Sequence, residues 1–221
     1  FFRGFAYRTL TYLYGGVPLL LTEVIEPKFD YVRASKEEVL RQALTDVEFA
    51  AAHLPSLSSV QDGEVSNAAA YHLLSELYLA TAQYQKAVDA ATTVIDDPAT
   101  GLMYTRFGSR ANELPGDVYW DLFRKNNQNR SSGNTEGIWV IQIETDTPGG
   151  SGSLTAKDQT YTLERHHAPM VRDVKAHGMN PFSWPIGDYT GGRGIGWAIS
   201  TRYFSDEIWN CLLYTSPSPR D

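Results

Sequence analysis

Cysteine is all but missing from this 221-residue chain, whose single copy is Cys211. Local disulfides, thiolate metal sites and thiol catalysis are therefore excluded upstream of that position, although this does not fix a redox compartment. Long apolar runs are also missing. Val17 to Leu21 is the longest aliphatic run, interrupted by Pro18, whereas a spanning helix needs about 20 predominantly apolar residues. Positive charge is in deficit, with 19 Lys and Arg against 26 Asp and Glu and a net charge of -7. Such a chain has no general field for nucleic-acid or lipid phosphates. Phosphate loops are lacking too. "GGRGIG" at 191–196 has Trp197 where a dinucleotide fingerprint needs its third glycine, and "PGGSGS" is not followed by Gly-Lys-Ser/Thr, so both read as turns. No initiating Met, basic n-region or apolar h-region opens the chain, and residue 1 already lies in a helical pattern without a cap. The expectation is a fragment cut at its N-terminus.

What is present is globular in composition, 42% apolar and 20% charged, and long enough to bury a core without staples. In the first segment Phe2, Ala6, Leu10 and Leu13 form an apolar stripe widened by Tyr7 and Tyr14, which predicts a helix ended by Gly15, Gly16 and Pro18. After an extended connection to about Ala34, "SKEE" at 35–38 is a capping box. It opens a helix with Val39, Ala43, Val47, Ala50 and Leu54 on its apolar face, closed by Pro55. A third helix is expected from Ser66 through "NAAAYHLLSELYLATAQ" and a fourth through "YQKAVDAATTVID" to Pro98. Small residues alternate there with Tyr71, Leu74, Tyr78 and Tyr84, a spacing that resembles a tetratricopeptide repeat of about 34 residues. Stacked helix pairs pack on two sides, which accounts for the aromatic crowding before Pro98.

Beyond Pro98 the texture changes. A short helix is expected near Asp117 and a short buried strand over "GIWVIQIE" at 137–144. The stretch from "TPGGSGS" to about Ile199 is rich in Gly, Pro and aromatics without helical period, and loops that long are functional or disordered. Three parts follow: a helical-repeat scaffold over 1–98, a loop-rich ligand-binding part of the same domain over 99–210, and a tail over 211–221. The tail, "CLLYTSPSPRD", resembles a translated sequencing adapter and is expected to be non-native.

Catalytic and metal constellations are not legible. His166 and His167 are adjacent and diverge in either a strand or a helix, and with Asp173 and His177 they read as solvated loop residues. Glu136, Glu144, Asp146 and Asp158 have no fixed separation that would pair them as acid and base, so they too read as loop charge. No catalytic residue, metal or cofactor is assigned. Aromatics offer more, because sugar C–H faces stack on flat rings. Trp120 and Trp139, in apolar periodic segments, are assigned to the core. Trp184, Trp197, Tyr189 and Tyr161 are the candidate carbohydrate-binding residues.

The order of segments resembles the SusD/RagB family. It is carried by "RGFAYRTLTYLYGGVPLL", "RASKEEVLRQALTDVEFAAAHLP", "SNAAAYHLLSELYLATAQYQKAVDAATTVID", and "DLFRKNNQN" before "EGIWVIQIE". The resemblance covers roughly residues 1 to 145, with a looser echo in "GRGIGWAISTRYF". It implies a mainly α, tetratricopeptide-like scaffold with long irregular loops and a short β element. It further implies a non-enzymatic glycan-binding protein on the outer surface of a Gram-negative outer membrane, tethered by an N-terminal lipid that lies outside this sequence. The implied partners are an oligosaccharide ligand and a SusC-like TonB-dependent transporter. A peptide-binding member of the family and a general helical-repeat interaction scaffold are the alternatives.

Overall fold

Ser35 starts a helix as its spacing requires. Its hydroxyl accepts from the Glu38 amide at 3.2 Å, and the Ser35 amide donates to the Glu38 carboxylate at 2.8 Å, the reciprocal arrangement of a capping box. The bond from the Ser35 amide is the main reason that the Glu38 carboxyl sits below its ordinary range, with the Ser35 side chain adding to it. In a computed structural model of the chain, residues 1–114, 116–143, 170, 173–181 and 196–203 are described. Two compact units form, Phe1–Gln142 and Ile143–Asp221. Among its described residues the first holds five α-helices: α1 Phe2–Tyr14, α2 Lys36–His53, α3 Asn67–Ala80, α4 Tyr84–Ile95 and the short α5 Val118–Leu122. Helix α1 packs on α2, α2 on α3 and α3 on α4, so the array is tetratricopeptide-like and mainly helical.

Helix α3 lies between α2 and α4 and buries Ala68, Ala69, Ala70, Leu73, Leu74, Leu77 and Tyr78. A helix flanked on both sides needs apolar residues nearly all round, which is why its sequence is so poor in charge. Small residues let its neighbours approach: Ala43, Ala50 and Ala51 from α2, and Ala87 and Ala90 from α4, join the same core. The Tyr78 hydroxyl donates to Glu48 of α2 at 2.7 Å. Burial, reinforced by that carboxylate, pushes the phenol up to about 12. Tyr84 opens α4 where the repeat spacing puts it, but its ring faces outward with Val88 and Ile95 instead of filling a gap. The array ends at α4, so that stripe has no fifth helix against it among the described residues.

In α1 the buried face differs from the one read from the sequence. Gly4, Tyr7 and Thr11 are buried, whereas Phe2 is 65% and Leu13 69% exposed, with Leu10 and Tyr14 also outside. Close approach decided the face. A Cβ at Gly4 would lie 2.5 Å from Val47 Cγ2 and 3.0 Å from the Ala43 carbonyl, so only glycine lets α1 sit this deep on α2. The orientation also brings Arg3 into a two-pronged pair with Asp46, at 2.7 and 2.6 Å. Tyr7 then reaches the connecting segment, donating to the Leu20 carbonyl at 3.1 Å. Gly15 ends α1 at φ +71°, its amide bonded to Thr11, the positive φ that glycine supplies without a Cβ clash.

Residues 99–142 fold around Asp121, which is 0% exposed. Arg106 grips its carboxylate at 2.5 and 3.1 Å and the Phe107 amide adds a third bond at 3.2 Å. The Arg106 guanidinium is the main reason that this carboxyl sits below the ordinary range. Asn127, also buried, donates to the carbonyls of Phe107 and Asp121 and accepts from Ser109. The expected strand at 137–144 does not form over its described part: 137–143 is irregular chain without a ladder partner. Side chains hold it instead. Trp139 Nε1 donates to the Gly63 carbonyl at 3.2 Å and Gln142 Nε2 to Asn129 at 2.8 Å, so no neighbouring strand is required. Among the described residues, β pairing is limited to an Ala176–Met179 bridge in the second unit. Residues 211–221 lie outside the described residues.

Gly4→Ala tests the α1 contact. Alanine gains up to about 1 kcal/mol of helix propensity, but overpacking a close contact costs about 1–3 kcal/mol, so the urea midpoint should fall. An unchanged or higher midpoint would show that α1 does not rest on Val47 as described.

Candidate functional site

Phe1, Phe5, Arg8 and Tyr12 recur at helical spacing along one side of α1. The Phe1 and Phe5 rings lie nearly parallel, 15° apart with centroids at 6.1 Å. Trp139 stands almost perpendicular to both, at 5.3 and 5.7 Å, the edge-to-face geometry favoured by ring quadrupoles. Its indole is fixed by the bond to Gly63. The sequence reading assigns Trp139 and Trp120 to the core, but both are only half-buried. Trp139 forms the wall of a groove, and Trp120 carries the Arg124 guanidinium 3.4 Å above its ring centroid.

The groove runs between α1, α3 and residues 136–139, with a volume of about 350 Å3. Arg8 closes one side by gripping Glu76 of α3 through Nε at 2.9 Å and through Nη2. The guanidinium also lies 5.7 Å from the Phe5 centroid and 5.3 Å from that of Tyr12. The bond to Glu76 raises Arg8 above its ordinary value, outweighing the opposing effect of burial. Tyr12 is raised chiefly by burial and secondarily by the Glu76 charge, with Arg8 pulling the other way. His72 of α3 and Glu136 complete the polar lining, and Glu136 Oε1 accepts from the Met103 amide at 2.8 Å. Flat rings beside a few planar polar groups suit a ligand with both C–H faces and hydroxyls.

Of the four aromatics read from the sequence, Trp197 is described and is 76% exposed. Trp184, Tyr189 and Tyr161 lie outside the described residues, as do Glu144, Asp146, Asp158, His166 and His167. The groove is not among the sites legible in the sequence. The repeat of Phe1, Phe5 and Tyr12 is a signal for it, but Arg8 and Glu76 are 68 positions apart, a separation without a local signature.

The unit is a helical-repeat scaffold, and its relatives point to one class of protein. Residues 1–79 match the SusD-like family described as "Starch-binding associating with outer membrane". Among solved structures, a SusD-like protein from Bacteroides fragilis is 24% identical, with a TM-score of 0.52 over 66% of this chain and 26% of its own. A SusD-like carbohydrate binding protein from the same organism is 20% identical, with a TM-score of 0.51 over 73% of this chain and 30% of its own. At these identities the likeness to the solved structures shows the fold. Among curated proteins none matches the chain. Residues 1–79 are thus similar in sequence to the SusD-like family, and the chain shares the fold of SusD-like proteins. The chain spans 26% and 30% of the length of the two solved relatives.

Spectrophotometric titration checks the electrostatics of the Arg8, Glu76 and Tyr12 group. Subtracting a Tyr12→Phe curve isolates Tyr12, which should titrate above the ordinary phenol range. Glu76→Gln should lower that value but leave it raised, because burial is the larger cause. A value unmoved by Glu76→Gln would contradict the arrangement.

Proposed function

We propose that the chain is part of a non-enzymatic glycan-binding subunit on the outer face of a Gram-negative outer membrane. The subunit hands oligosaccharide to a SusC-like TonB-dependent transporter and is held at the membrane by an N-terminal lipid. The observation carrying this reading is the match of residues 1–79 to a family described as starch-binding and associating with the outer membrane. The mainly helical scaffold agrees with it. In this reading the repeats are support, and the later aromatics Trp184, Trp197, Tyr189 and Tyr161 grip sugar rings by stacking.

A second reading, a repeat scaffold that binds another protein or a peptide, draws support from the exposed apolar residues of α1 and α4. Phe2, Leu10 and Leu13 face outward on one side, and Tyr84, Val88 and Ile95 on the other. Exposed apolar patches of this kind mark interaction surfaces.

Calorimetry with a panel of neutral oligosaccharides separates the two. Glycan binding that weakens about tenfold or more in a Trp184→Ala, Trp197→Ala double variant is the expected result, from the loss of two stacking platforms. If the protein ignores every oligosaccharide and instead binds peptides or proteins through its helices, the scaffold reading replaces it.

A further inference from the structure

The geometry points to a second sugar subsite in the groove between α1, α3 and residues 136–139, built from other residues than the later aromatics and selective for a neutral glycan. This inference rests on the glycan-binding reading and adds a place and a ligand class to it. Three observations carry it. First, Phe1, Phe5 and Trp139 line the groove with half-buried rings. The indole is held by the Gly63 carbonyl and by edge-to-face contacts, so a stacked sugar would meet a platform already fixed in place.

Second, polar groups with free capacity face the same space. The His72 ring has no hydrogen-bond partner among the described residues, and Glu136 uses one carboxylate oxygen on the Met103 amide, leaving the other for a sugar hydroxyl. The Arg8 and Glu76 pair offers a planar donor and acceptor edge beside them. Third, one guanidinium stands against two carboxylates in the lining, on a chain of net charge -7. A uronate or sulfated sugar would be repelled, whereas a neutral ring would not. The volume of about 350 Å3 falls within the usual range of small-molecule sites, about 300–1,000 Å3.

The test uses the whole chain labelled with fluorotryptophan, with the Trp139 resonance identified by its loss in Trp139→Phe. Maltohexaose, cellohexaose and laminarihexaose are the neutral probes and oligogalacturonate the anionic one. A saturable shift of the Trp139 resonance with a neutral probe is expected, and it should persist in Trp197→Ala. A His72→Ala, Glu136→Gln variant should weaken that binding about tenfold, as the loss of one or two hydrogen bonds would. His72 is exposed, and the Glu136→Gln change retains a carbonyl oxygen for the Met103 amide, so the remaining fluorine resonances serve as the check on folding. A still Trp139 signal while calorimetry registers glycan binding would overturn the groove and leave the glycan-binding reading intact. Equal or tighter binding of oligogalacturonate would overturn the neutral class. Absence of any glycan binding would overturn both.

Discussion

The structure depends on the burial of α3 from two sides. Leu77 is 0% and Leu73 and Leu74 are 4% exposed, and Ala70 is fully covered, because α2 and α4 close on opposite faces of this one helix. Two-sided packing is a condition that only small residues at the crossing points satisfy, and the alanines of all three helices provide them. The Tyr78 bond to Glu48 adds direction to a contact that is otherwise non-directional. What remains, α1 packed on α2 and residues 99–142 meeting α1 through Trp139, is placed with respect to this core.

That core is legible because it is written in local spacing. The capping box at Ser35, the Ser66 cap, the alanine and leucine period of α3 and the glycine stop after Tyr14 are all short-range signals, and each helix lies where they put it. The α1 face is misread from sequence because an apolar count favours Phe2, Leu10 and Leu13 over Gly4, whereas packing depth rewards the residue with no side chain. At 137–144 an apolar run suggests ladder pairing, yet Trp139 and Gln142 anchor the segment through side chains instead. Buried ionic centres such as Asp121 with Arg106 are invisible in the sequence for a similar reason: their partners meet only through the fold.

The candidate site shows the same division. Rings flanked by Gly and Pro are the sequence signal for sugar contact; Trp197, the one of them among the described residues, is exposed. The groove on the helical unit takes its chemistry from residues far apart in the chain, with Arg8, Glu76 and Trp139 converging from three segments. The wedge between two helices and a crossing segment is a shaped surface in its own right.

Residue-resolved hydrogen exchange tests the central claim most directly. If α3 is the element on which the others rest, the amides of Leu73, Leu74 and Leu77 exchange most slowly, through global opening, while α1 and the outer turn of α4 open at lower free energy. Amides of α3 exchanging as fast as those of α1 would contradict the account, because a helix closed from both sides cannot open before its neighbours do.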